Sequence, residues 1–164
     1  MAKPFSSKTP VGFINKAEAY RVGAQLLARE LTGVGGWAGD PIRYLYYHSI
    51  ELYMKAALIS AGHTEAQLRS LSHGFLKLAE ASNAAGLGMN DPADLNVLAL
   101  IDSQNNYIKA RYHYVGGFTV ATVQALDHTA HELAMLTVQM VRQSGVQVRA
   151  PRPALPFEYR FQIG

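Results

Sequence analysis

A chain of 164 residues, 49% hydrophobic and 16% charged, can bury one sizeable core, which excludes a disordered or low-complexity chain. Its net charge of +3 (pI near 9.2) suits an anionic partner, but no run of Lys or Arg demands one. The lack of cysteine excludes disulfides, thiol catalysis and thiolate metal sites, and no stretch approaches the ~18 apolar residues of a membrane span.

Residues 1–14, with Pro4, Pro10, Ser6 and Ser7, read as an irregular lead-in that lacks the apolar core of a signal peptide. The expectation is a cytoplasmic protein that makes no use of a membrane. From residue 15 to 145 the apolar pattern is helical. Asn15 is a good cap, and Ala17, Tyr20, Ala24, Leu27 and Leu31 form one stripe of a first helix, broken by the glycines of 33–39. Asp40 followed by Pro41 opens a second helix, whose buried seam is Ile42, Leu45, Ser49, Leu52, Ala56 and Ile59. On it, Glu51 and Lys55 read as a surface pair four residues apart. A third helix covers His73 to Ala85. Asp91 and Pro92 open a fourth, with Leu95, Leu98, Ile101, Asn105, Ile108 and Tyr112 as its buried line and Gly116-Gly117 as its end. The fifth carries Val123, Leu126, Ala130, Leu133, Thr137 and Met140 up to Gly145. Short turns between such helices imply an all-α, up-and-down bundle of about five helices.

Residues 146–164 differ. Pro151, Pro153 and Pro156 favour extended backbone, and Phe157, Tyr159 and Phe161 alternate with polar residues. This reads as an extended C-terminal arm that packs on its own bundle or reaches a second subunit.

The run Tyr47-His48-Ser49-Ile50-Glu51-Leu52-Tyr53-Met54-Lys55-Ala56-Ala57-Leu58, followed by Ser72-His73-Gly74-Phe75-Leu76-Lys77-Leu78, resembles the HEPN family over roughly residues 41–115. Gly74 stands where that pattern usually carries Asp. The resemblance implies a cytoplasmic, homodimeric helical protein that binds RNA or a nucleotide, of a toxin–antitoxin or defence type and with no cofactor. It also implies, as an alternative, a non-catalytic interaction module that pairs with a nucleotidyltransferase or another protein. The residues alone also fit structural roles: Ser49 can bond back to its own helix, and His73 can neighbour a helix start.

HEPN ribonucleases carry Arg, four to six residues, then His near the start of a late helix. They cut RNA without metal, His acting as acid or base and Arg holding the phosphate. Here Arg111 lies in the expected region, but the matching positions are Gly116, Gly117 and Phe118, and His113 follows by only two residues. The one formal match, Arg43 to His48, is expected about once by chance. It also lies within one helix, where a five-residue offset turns the side chains roughly 140° apart.

The strongest candidate site is therefore the cluster in which Lys109, Arg111 and His113 interleave with Tyr107, Tyr112 and Tyr114. Cations grip phosphate and tyrosine faces stack on bases. Arg111, His113 and His48 are the catalytic candidates; Lys109, Tyr107, Tyr112 and Tyr114 are the binding candidates. The same cluster also fits a plain helix end, with Ile108 and Tyr112 in the core and the cations complementing the helix dipole. No metal site is expected: His128 and His131, beside Asp127 and Glu132, fit a solvated helix face.

Overall fold

A computed structural model of the chain describes residues 8–31, 39–112, 117 and 119–156. Seven helices occupy them: α1 (Pro10–Glu30), α2 (Gly39–Ser60), α3 (Glu65–Leu71), α4 (Phe75–Ala84), α5 (Pro92–Ser103), α6 (Asn106–Lys109) and α7 (Val123–Gln143). The protein is all-helical, with no strand among the described residues. No helix there is long and apolar enough to cross a membrane.

The three long helices α1, α2 and α7 pack against one another, α4 packs on the remaining side of α2, and α5 lies against α4 and α7. As a result α2 is buried far beyond one stripe. Ile42, Tyr46, Ile50, Tyr53, Met54, Ala57 and Leu58 have no exposed surface, so its expected seam is only part of a nearly all-round burial. On α7 the expected seam holds, with Val123, Leu126, Ala130, Leu133 and Thr137 all buried under a Thr122 cap.

Three features depart from the simpler five-helix pattern. α1 starts at Pro10, capped by the Thr9 side chain on the Gly12 amide, because proline suits the first helical turn. A separate α3 precedes α4, opened by a capping box in which the Thr64 hydroxyl accepts from the Gln67 amide while the Gln67 side chain takes the Thr64 amide. The fourth expected helix is broken at Asn105, whose φ of 50° is left-handed. The break turns Asn106 inward, where its Nδ2 donates to the Thr119 carbonyl at 2.9 Å. Beyond it the buried line fails: Asn105 is exposed, and so are Ile108 and Tyr112, whereas Tyr107 is buried.

The α4 N-terminus has no side-chain cap of its own, since its N-cap is Gly74. Asp102 supplies the missing acceptor from α5, taking the Phe75 amide at 2.9 Å and the Leu76 amide at 2.8 Å.

Residues 146–156 run back over the bundle and are held through their backbone. Two Arg142 nitrogens donate to the Val148 carbonyl, Arg21 to that of Arg152, and Gln25 to that of Pro153. The Arg152 amide donates to Glu18, and the Leu155 amide to Asp127 at 2.7 Å. The alternating residues Phe157, Tyr159 and Phe161 lie outside the described residues. Asp127, read from the sequence as part of a solvated face, is fully buried and also accepts from Gln25 at 3.1 Å and Tyr46 at 3.0 Å.

Asp127→Ala would leave those buried donors without their acceptor. The expected outcome is a loss of about 3 kcal/mol in urea unfolding, together with new protease cleavage between residues 146 and 156. Unchanged stability would show that Asp127 contributes nothing to holding the arm.

Candidate functional site

One stripe of α2 carries Tyr44, His48, Glu51 and Lys55, spaced 4, 3 and 4 residues apart and therefore stacked along a single face. Glu51 sits beneath this stripe with 2% of its side chain exposed. That burial corrects its reading as one half of a surface pair. Lys55 donates to Glu51 Oε1, and His73, from the turn between α3 and α4, places Nδ1 3.1 Å from both carboxylate oxygens. His48 Nδ1 lies 3.8 Å from Oε2. Burial works against the charge on Glu51, but His48, Lys55 and His73 outweigh it and hold the carboxyl down at about 2.

An ionised carboxylate can only accept, so the proton between the pair resides on His73 Nδ1. In the neutral form of the ring this leaves the lone pair on Nε2, the atom that would take a proton from a ligand. This is the arrangement by which a carboxylate fixes the tautomer and orientation of a catalytic imidazole. About half of the His73 side chain is exposed.

The rings around this pair are layered. His73 stacks on Tyr107 with centroids 4.8 Å apart and planes 20° from parallel, and Tyr44 stacks on His48 at 6.1 Å and 9°. Tyr20 meets the His48 ring edge-on at 4.3 Å. The Tyr107 hydroxyl lies 3.5 Å from His48 Nδ1, and its ionisation is pushed upward by burial and then by the charge of Glu51, so it remains a phenol and a donor. The Arg111 guanidinium lies 5.9 Å from the ring centroids of both Tyr44 and Tyr107 and 5.7 Å from that of Tyr112.

Of the residues nominated from sequence, His48, Tyr107, Arg111 and Tyr112 therefore meet in one place. Lys109 lies half-buried on α6, two residues before Arg111. His113 and Tyr114 lie outside the described residues. Tyr112 is 60% exposed and Ile108 42%, which corrects their alternative placement in the core. Sequence reasoning left Glu51 and His73 in structural roles and did not single out Tyr44. The signal that could have joined them is the α2 stripe, which puts Tyr44 and Lys55 in line with His48 and Glu51.

Arg43, the other half of the chance motif, belongs elsewhere. It is buried, donates toward the Ala121 carbonyl at 3.4 Å, and leans so closely on Gly39 that a Cβ there would meet its guanidinium at 2.2 Å. The Ser49 hydroxyl has no hydrogen-bond partner among the described residues, so it does not bond back to its helix. His128 reaches Asp94 at 3.4 Å, and among the described residues no group of three or more His, Asp or Glu side chains could hold a metal ion.

Backbone strain gathers at the same place. Ser72 (φ 52°) and Asn105 (φ 50°) are the non-glycine residues with positive φ among those described. They stand one residue before His73 and two before Tyr107, the two rings that stack.

The depressed ionisation of Glu51 makes stability depend on pH in a defined window. A carboxyl at about 2 in the fold and near 4.3 when unfolded contributes stability that is complete above about pH 4.5 and is lost as the pH falls toward 2. Glu51→Gln should therefore flatten the acid limb of stability by up to about 3 kcal/mol. Parallel acid-unfolding curves for wild type and variant would remove this role. Comparisons of the chain with family models, curated proteins and solved structures found no match.

Proposed function

We propose that this protein is a HEPN-like binder of RNA or a nucleotide, acting as a homodimer, and that its site is the cluster around Glu51, His73 and Arg111. The observation that supports this most is the convergence of Arg111 with the Tyr44, Tyr107 and Tyr112 rings beside two imidazoles and Lys55. Guanidinium and ammonium groups attract phosphate, and tyrosine faces accept bases. The mixture suits a single strand better than a duplex, whose bases are already stacked.

The same residues supply a metal-free cleavage chemistry. His73 Nε2 takes the proton of a ribose 2′-hydroxyl, the 2′-oxygen attacks the adjacent phosphorus, and the bond from phosphorus to the 5′-oxygen breaks. The products are a 2′,3′-cyclic phosphate and a 5′-hydroxyl, the leaving oxygen taking a proton from a neighbouring acid or from water. In this scheme Arg111 offsets the charge on the phosphate, while Glu51 keeps His73 in the right tautomer. The acid–base role that the sequence offers to His113 falls to His73, which has the oriented ring.

The rival reading, a non-catalytic module that pairs with a nucleotidyltransferase through its arm, has less support. Residues 148–155 already give backbone hydrogen bonds to their own bundle, which leaves less of the arm for a partner.

Single-stranded RNA should bind with an affinity that Arg111→Ala lowers about tenfold, with the salt slope reduced by about 0.7 for one lost phosphate contact. With chelator present, wild type should leave cyclic-phosphate ends and His73→Ala should not. Binding without cleavage would retain the binder and discard the nuclease. Neither binding nor cleavage, together with capture of one dominant protein partner, would favour the rival.

A further inference from the structure

The α2 stripe does not end at the histidines. Past Glu51 it enters a cleft of about 430 Å³ between α2, α1 and α3, in which His48, Glu51 and His73 form the wall shared with the aromatic cluster. The cleft brings together four cations (Lys8, Lys16, Lys55 and Arg69) and two carboxylates (Glu51 and Glu65), a positive excess of two before either imidazole is counted. Glu65 is bound to Lys8 and Arg69, and Glu51 to Lys55, while Lys16 pairs with no carboxylate among the described residues. Leu52 and Leu68 supply an apolar floor.

We infer that this cleft is the phosphate-tracking extension of the site, which makes the preferred ligand a single strand of several nucleotides and not a mononucleotide. The inference rests on the RNA reading above and gives it a length. From Tyr44 to Lys55 the stripe advances 11 residues, which at ~1.5 Å per residue is about 16 Å. Phosphates follow one another every ~3.4 Å along a stacked strand and more widely along an extended one, so about three to five nucleotides span that distance. One end of the track offers Arg111 and the tyrosines, the middle offers His73, and the far end offers the cations of α1 and α3. A mononucleotide placed on the tyrosines would leave Lys16 and Arg69 without a phosphate.

The test is a length series of oligoadenylates from one to eight nucleotides, measured by competition for a labelled octamer. The wild type should gain affinity with each nucleotide up to about five and then level off. Lys16→Ala combined with Arg69→Ala should lower octamer affinity at least tenfold, leave the dinucleotide within twofold, and reduce the octamer salt slope by about 1.4 for two phosphate contacts. Both residues are exposed, so folding should survive, and an unchanged circular dichroism melt verifies that. Equal affinity for one and eight nucleotides would overturn the inference while sparing a nucleotide-binding site. A steep length series that ignores the double variant would overturn the role of the cleft and spare the RNA reading. No binding at any length by the folded wild type would defeat the RNA reading itself, and this inference with it.

Discussion

Glu51 places the strongest local demand on the structure. A carboxylate with almost no exposed surface loses most of its hydration, and it stays charged only if neighbours replace that hydration from several directions. Lys55 does so from the next turn of α2, but the second donor comes from outside the helix. His73 must reach back from the α3–α4 turn, which fixes where that turn lies. The His73 ring then carries Tyr107 on its face, which ties α6 to α2 as well. One buried charge thus orders three segments that are distant in sequence, and removing either donor would leave a buried charge less compensated.

The opposite side of the bundle solves a related problem with other means. A proline-rich arm has few amide donors and cannot form a helix, so its carbonyls need donors from side chains. Arg21, Gln25 and Arg142 supply them, while Glu18 and Asp127 accept two of the arm amides that remain. Glu18 and Asp127 also bind the Tyr53 and Tyr46 hydroxyls of α2. The polar groups on the two sides of α2 are therefore divided: one set secures the arm, and the other surrounds the imidazoles.

The long helices were legible because their caps and seams are local. Asp91-Pro92 and the α7 stripe can each be recognised within one or two turns of chain, whereas Asp40, read as a cap, lies inside the first turn of α2. α3 was legible in principle, since Thr64 and Gln67 have the spacing of a capping box, yet its seven residues are too few for a clear apolar stripe. The break at Asn105 was not legible, because it depends on Asn106 finding a carbonyl 13 residues later. For the site, an interleaved run of cations and tyrosines was enough to bring out Tyr107, Arg111 and Tyr112. The link between Glu51 and His73 was hidden for a different reason. An acid and a lysine four residues apart look the same in sequence whether exposed or buried, and only the packing of α4 over α2 decides which.

The spacing rule that fails in this chain is a rule about one helix, yet Arg111 and two imidazoles still stand around the same tyrosines. A guanidinium and an imidazole four to six residues apart converge only if the helix end that carries them bends suitably. Here the break at Asn105 changes the direction of the chain before Arg111, and the imidazole arrives from another element. Each route requires a backbone that is not naturally at ease: Ser72 and Asn105 both hold positive φ without being glycine, at a cost of order 1–3 kcal/mol apiece. Asn tolerates that region and Ser does so less readily, so the strain falls more heavily on the residue next to His73. A fold that needed His73 only as a cap for α4 would gain nothing from that strain, since Asp102 already caps the helix. The strain makes physical sense as the cost of presenting an oriented imidazole between a buried carboxylate and a tyrosine face.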